Sequence, residues 1–209
     1  PDTIAGKAPG TKVYVYTLGP YLITGEVPCD LVPDDYFEVR DVPRSACGKP
    51  EKDRNVPMGP TGVSRGVTSN KAVYAIDFDN LLLVPDDPAT KAYVAKKTPI
   101  QMSMNFDGLL SDSMGTAPIS TGYVNQPPRF PGTTRAYTPA EWLHAEESLL
   151  AFKKEALGDK ELTINGLATG SKYFGPDSAK VLLTDKVIGG MAESIFRAAE
   201  SGTDSWRSP

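Results

Sequence analysis

The sequence predicts an α+β protein with two unlike parts, and three observations carry that expectation. Proline is segregated, with 17 of the 19 prolines at or before Pro139. Proline fixes φ and removes a backbone donor, so the first two-thirds should hold short strands and ordered loops without long helices. Beyond Pro139 the apolar residues recur at helical spacing. Third, a short pattern occurs twice. Leu31-Val32-Pro33-Asp34-Asp35 returns as Leu83-Val84-Pro85-Asp86-Asp87, 52 positions later. Met58-Gly59 followed by Val63-Ser64-Arg65-Gly66 is echoed by Met114-Gly115 and Ile119-Ser120-Thr121-Gly122, at an offset of 56. Tyr21-Leu22-Ile23 against Tyr74-Ala75-Ile76 is a weaker third match. Two matches in one order point to an internal duplication, with repeats over roughly 12–70 and 71–125. The repeated residues are turn-forming and apolar, so what recurs is a backbone shape, with no reactive constellation attached.

Taken in order, Lys12 to Leu18 has β-branched and aromatic strand character and is ended by Gly19-Pro20. Tyr21 to Val27 is its hairpin partner or its continuation around a bend. Arg44 to Asn70, rich in Pro, Gly, Lys, Asp and Ser, reads as a long loop. Such a length is uncommon in a compact domain unless the loop is functional or wraps a neighbour. Ala72 to Val84 is the strongest apolar run of this region and predicts one strand or two. Gln126-Pro127-Pro128-Arg129-Phe130-Pro131-Gly132 suits a polyproline-type strap over 117–137. The strap either links the two parts or lies across a partner surface with Tyr123, Phe130 and Tyr137 as anchors.

The C-terminal part, 138–209, reads as a helical hairpin. Thr138-Pro139-Ala140-Glu141 supplies an N-cap, a proline at the first helical position and a capping-box glutamate. Trp142, Ala145, Leu149, Phe152 and Ala156 form an apolar stripe, broadened by Leu143, Leu150 and Leu157, and Gly158 is a natural C-cap. Asn165-Gly166 marks a turn. A second helix is expected from Asp177 or Ser178 to about Glu200, on an apolar face from Val181 to Phe196. Gly189-Gly190 interrupts it at roughly 1 kcal/mol per glycine.

Composition narrows the function classes. Charged residues make up 23% of the chain and the net charge is −4. Residues 1–138 carry 15 acids and 14 bases, and 139–209 carry 11 and 8. Nucleic-acid binders concentrate Lys and Arg against phosphate, whereas the longest basic clusters here are Lys96-Lys97 and Lys153-Lys154. Nucleic acid is therefore not an expected partner. No run of about 20 apolar residues exists, so no membrane-spanning helix is expected. A start at Pro1 fits a processed organellar or exported protein and also a trimmed one, which leaves localisation open. The one histidine, His144, sits between Leu143 and Ala145 in the first predicted helix and reads as an ordinary, partly exposed residue. A multi-histidine metal site within one chain is thereby excluded, and structural zinc is not expected from two cysteines and one histidine.

Three candidate chemistries remain. Cys29 and Cys47 could pair in an oxidising compartment and close a loop worth about 3 kcal/mol. They could equally be plain thiols, or one could carry a covalent tetrapyrrole, with Asp30, Asp34 and Asp35 near Cys29 to hold its nitrogens. Bilin-carrying antenna proteins use a cysteine and a nearby aspartate in this general way. The paired acids Asp34-Asp35 and Asp86-Asp87, and the cluster Asp77-Phe78-Asp79-Asn80, lack the alternation and glycine of a calcium loop. Turn or helix-cap duty accounts for them better. Without a histidine base, nucleophilic catalysis would need a Ser–Lys pair. Ser111-Asp112-Ser113-Met114-Gly115 could present a serine on a tight turn with Lys153 or Lys154 as base. Ser113 and Lys153 are 40 positions apart, a spacing close to that of some viral proteases. No glycine-rich phosphate loop occurs.

The expectation from sequence is a non-enzymatic structural or linker subunit that wraps other proteins in a large assembly, such as a light-harvesting complex or a virus-like particle. A tetrapyrrole-bearing subunit and a Ser–Lys hydrolase are the alternatives. The cofactor is left open.

Overall fold

Three parallel crossings of the chain build the framework. In the computed structural model, residues 10–22, 62–78, 80–103, 105–167 and 178–191 are described. The elements are β1 (Tyr14–Leu18), β2 (Tyr21–Leu22), β3 (Leu81–Leu82), α1 (Pro88–Met102), β4 (Gly108–Asp112), a 3-10 turn (Ala117–Ile119), α2 (Pro139–Leu157), β5 (Glu161–Asn165), α3 (Ser178–Leu182) and β6 (Gly189–Met191). Strands β1, β4, β5 and β6 form a parallel sheet in that order, with Tyr14 opposite Gly108, Gly108 opposite Glu161 and Thr163 opposite Gly189. Strands β2 and β3 form a short antiparallel pair. The protein is thus a mixed helix-and-sheet structure. Because the strand order runs in one direction, right-handed crossovers place the connecting helices on one face of the sheet. Accordingly α1 packs on α2, and α2 packs on β5 and α3.

Helix α2 forms where local chemistry dictates. Thr138 accepts the Glu141 N–H while the Glu141 carboxylate accepts the Thr138 N–H, a complete capping box, and Gly158 closes the other end. Its wide apolar surface splits three ways. Leu143, Leu150 and Leu157 pack on Leu109, Leu162 and Ile164 of the sheet. Leu149 meets Leu83, Tyr93 and Val94. Trp142 and Ala145 meet Tyr21, Val124 and Tyr137.

The structure corrects two expectations. A 15-residue helix, α1, occupies the proline-rich part. Its Pro88 stands in the first turn, where no N–H is needed, and Asp87 caps it by accepting the Ala89 N–H at 2.7 Å. Pro99 falls in the final turn, so only a late hydrogen bond is lost. The predicted C-terminal hairpin of helices is also overturned. Residues 161–165 are a strand, α3 spans five residues, and Gly189-Gly190 begin β6 instead of interrupting a helix. The edge of β5 is satisfied by pairing with β6, and a Cβ on Gly190 would stand 2.1 Å from Leu167 Cδ1. A side chain here would require Leu167 to shift. Among the expected strands, 14–18 and 21–22 are present, and Ala72 to Val84 makes bridges at Ala72, Tyr74 and Ala75 before β3. Residues 44–61, and the first copies of the repeated patterns at 31–35 and 58–59, lie outside the described residues.

Gly166 has φ +119°, and a Cβ placed there would lie 2.0 Å from the Met114 carbonyl oxygen. Gly158 also has positive φ, but nothing stands near its Cβ position. Gly166→Ala is expected to cost about 3 kcal/mol and Gly158→Ala about 1 kcal/mol, read as a shift of the urea midpoint. Equal losses in the two variants would contradict the close β4–β5 approach.

Candidate functional site

Where β4 ends, the chain turns sharply at Ser111-Asp112-Ser113-Met114-Gly115. Along β4, side chains alternate between faces. Leu109 and Ser111 are buried beneath the helices, while Leu110 and Asp112 face the other side. Asp112 fixes the exit: its Oδ1 accepts the Ser113 N–H and the Asn165 side-chain N–H, each at 2.7 Å, and Tyr16 donates its hydroxyl to Oδ2. Ser113 sits at φ +58°, an uncommon backbone state for a residue with a Cβ. Gly115 at φ +89° completes the turn. The Met114 N–H donates to the Asn165 carbonyl at 3.0 Å.

Helix α2 aims two ionisable side chains at this turn from below. Glu146 and Lys153 are seven residues apart, two helical turns, and so share a face. Both are buried, Glu146 at 0% exposure and Lys153 at 4%. The Lys153 amine is 2.7 Å from Ser111 Oγ, 2.9 Å from the Leu18 carbonyl oxygen and 3.4 Å from Thr17 Oγ1. Burial lowers its pKa from the ordinary 10.5 to about 7, helped by nearby Lys97 and opposed by Glu146 and Asp112. The amine donates to all three oxygens, and the Ser111 hydroxyl donates in turn to Met114 Sδ at 3.4 Å, a weak acceptor. Lys154, one residue on, points elsewhere and donates to the carbonyls of Gly158 and Lys160.

Glu146 braces the turn. Its Oε2 accepts the Gly115 N–H at 2.6 Å, and the Trp142 indole N–H donates to the Gly115 carbonyl at 3.1 Å. Its Oε1 is buried without a hydrogen-bond partner among the described residues. Burial raises the pKa of this carboxyl well above 4.5, against the opposing pull of Gly115, Trp142 and Lys153. Both helix groups are therefore pushed toward their neutral forms, which avoids burying two charges in one apolar layer.

A cavity of about 130 Å³ lies beside Lys153, between α1, α2 and the end of β1. Leu18, Leu83, Tyr93, Val94 and Leu149 are among the residues that wall it. The site thus gathers a hydroxyl, an amine of low basicity and an adjoining cavity near the carboxyl end of a parallel sheet. Open α/β sheets place their ligands at that end.

The other sequence candidates fall elsewhere. Cys29 and Cys47, with Asp34-Asp35 and Asp79, lie outside the described residues. Tyr137 is buried, meeting Trp142 and Phe130 edge to face with ring centroids 5.1 Å apart in both pairs. Tyr123 stacks at a tilt against Tyr21, 6.1 Å between centroids. The three strap aromatics therefore pack on the chain's own core. The strap is also tied down by backbone bridges from Gly66 to Pro128 and from Ala75 to Val124. Asp87 serves as a helix cap, and His144 is exposed on α2 beside Glu147. Among the described residues, no group of three or more His, Cys, Asp and Glu side chains gathers as metal ligands. No helix among them is long and apolar enough to cross a membrane. Glu146 was missed in the sequence although its signal was present: it falls between Trp142 and Leu149 on the buried stripe. No protein-family model matches the chain, and a search of curated proteins found no match.

Linkage fixes the direction in which these groups act on stability. Unfolded Lys153 binds a proton up to about 10.5 and folded Lys153 only up to about 7, so its contribution to stability rises with pH across that window. Wild type should gain on Lys153→Met by up to about 1.4 kcal/mol per pH unit between those values, measured by urea denaturation. A flat difference would place the amine in water. Glu146 acts oppositely. Its raised pKa contributes stability below 4.5 that is lost as pH climbs. Glu146→Gln should remove that decline while the Gly115 bond survives.

Proposed function

We propose that the chain is a Ser–Lys hydrolase in which Lys153 is the general base and Ser111 the nucleophile. The observation that carries this reading is the 2.7 Å contact between the Lys153 amine and Ser111 Oγ. An amine that titrates near 7 can be neutral at the moment of attack, as a lysine base requires. Lys153 takes the Ser111 proton as Oγ bonds to the carbonyl carbon of an ester or amide. The resulting ammonium returns that proton to the leaving alcohol or amine as the scissile bond breaks. Water then attacks the acyl-serine as Lys153 accepts its proton, and Lys153 returns that proton to Ser111 Oγ as the acyl–oxygen bond breaks and the carboxylic acid departs. Ser113 N–H and Asn165 N–H are taken up by Asp112 Oδ1 on the opposite face of the sheet, where they hold the turn that carries Ser111. Ser111 and Met114 are both fully buried, so the turn that carries them must open before substrate reaches the hydroxyl.

A second reading, a non-enzymatic subunit that docks on other proteins, draws on a different region. Leu183 just after α3, Ile188 just before β6 and Met191 in β6 are exposed, with Ile188 at 61%. Exposed apolar side chains of this size suit contact with another apolar surface. Side-chain geometry supports the hydrolase more strongly, since a hydroxyl and an amine of lowered basicity meet in one place.

The test is hydrolysis of p-nitrophenyl butyrate, with the acyl-enzyme trapped by acid quench and weighed intact. The rate kcat/KM should climb about tenfold per pH unit below about 7 and level off above it. Ser111→Ala and Lys153→Ala should each lose at least about a thousandfold, while Ser113→Ala keeps the activity. Full activity in both Ser111→Ala and Lys153→Ala would falsify the assignment.

A further inference from the structure

We propose that Lys153 is also a covalent binding site, whose amine condenses with a small apolar aldehyde or ketone held in the adjoining cavity and keeps it as an imine. Ser111 supplies no atom to this bond, so the site goes beyond the hydrolase reading. Lys153 itself lines the cavity, and so do Thr17 and Leu18, two of the residues its amine meets. The amine therefore stands at the cavity wall. Thr17 Oγ1 is the most distant of its three oxygen partners, at 3.4 Å against 2.9 Å for Leu18 and 2.7 Å for Ser111. Loss of one proton leaves two hydrogens for the two nearer oxygens, and the lone pair turns toward Thr17, a residue of the wall. A lysine becomes nucleophilic near neutral pH when it is desolvated or stands beside another cation. Lys153 is buried, and Lys97, which lines the same cavity, lies close enough to lower its basicity against the opposite pull of Glu146 and Asp112. The cavity, about 130 Å³ and partly open to solvent, approaches the size of about 150 Å³ that admits benzene. Leu83, Tyr93, Val94, Leu109 and Leu149 line it and are all buried, which favours a hydrocarbon body over a polar one. In the reaction the nitrogen lone pair bonds to the carbonyl carbon. The carbonyl oxygen takes both amine hydrogens and leaves as water when the C=N bond forms.

The experiment is reductive trapping with butanal and sodium cyanoborohydride at about pH 7, read by intact mass and by peptide mapping of the full chain. The reagent delivers hydride to the imine carbon while the nitrogen gains a proton, so each reacted lysine carries one butyl group. An ordinary lysine is almost wholly protonated at that pH, and Lys153 should therefore be butylated at least about tenfold faster than any other lysine. Lys153→Met should leave no lysine labelled at that rate, and Lys154→Met should leave the rate at Lys153 unchanged. Peptide mapping of wild type decides the matter even if Lys153→Met fails to fold. Glycolaldehyde, small but polar, should show a weaker preference for Lys153 than butanal does. Butylation of Lys153 no faster than that of the other lysines overturns the site. An equal preference for Lys153 with the two aldehydes overturns the selection of apolar carbonyl compounds.

Discussion

Everything in this structure turns on the face that α2 must bury. Nineteen residues long, the helix touches the sheet, α1 and the strap at once. A helix packed on three sides turns most of its circumference inward, so Glu146 and Lys153 lie among the leucines while His144, Glu147 and Glu155 keep the solvated stripe. Burying charge is costly, and the structure meets that cost by neutralising both groups and giving them hydrogen-bond partners. Leu18, Thr17 and Ser111 receive the amine, and Gly115 donates to the carboxyl. The chemistry at the end of β4 follows from that packing problem. An amine forced out of water loses basicity, and among the described residues the hydroxyl at 2.7 Å from it is that of Ser111.

The turn after β4 is shaped by the same constraint. Gly115 and Gly166 let two backbones approach within the reach of side chains, and Asp112 holds the exit through Ser113 and Asn165. Positive φ at Ser113 is backbone strain held in place by its surroundings, and such strain gathers where chains do chemistry. On the solvent face of the sheet, Lys12 and Tyr14 instead pair with Glu161, where water screens the charges and the contacts contribute little. The contrast separates the two faces: one is a polar surface, the other a dry layer in which a few groups have shifted properties.

Much of this was legible locally. The ends of α2 were readable because a capping box and a C-terminal glycine act within a few residues. The strand at 14–18 was readable for a similar reason, from its β-branched and aromatic run bounded by Gly19-Pro20. Helix α1 is hidden in the sequence because proline ordinarily breaks helices, although here Pro88 starts the helix and Pro99 falls in its last turn. Strand β6 was hidden because an apolar run of that length suits a helix as well as a strand, and only the unpaired edge of β5 selects between them.

The sequence by itself determined the helix caps, the first strand and the short list of serines and lysines that could react. Those are properties of residue type and of neighbours a few positions apart. Tertiary structure decided which of them meet. Lys153 and Lys154 are chemically alike, and helical phase alone sends one into the core and the other toward Gly158. Ser111 and Lys153 are 42 positions apart in the chain, and only the crossing of α2 beneath β4 brings them into contact. Basicity too is tertiary, since a lysine changes its pKa only where packing removes the water around it.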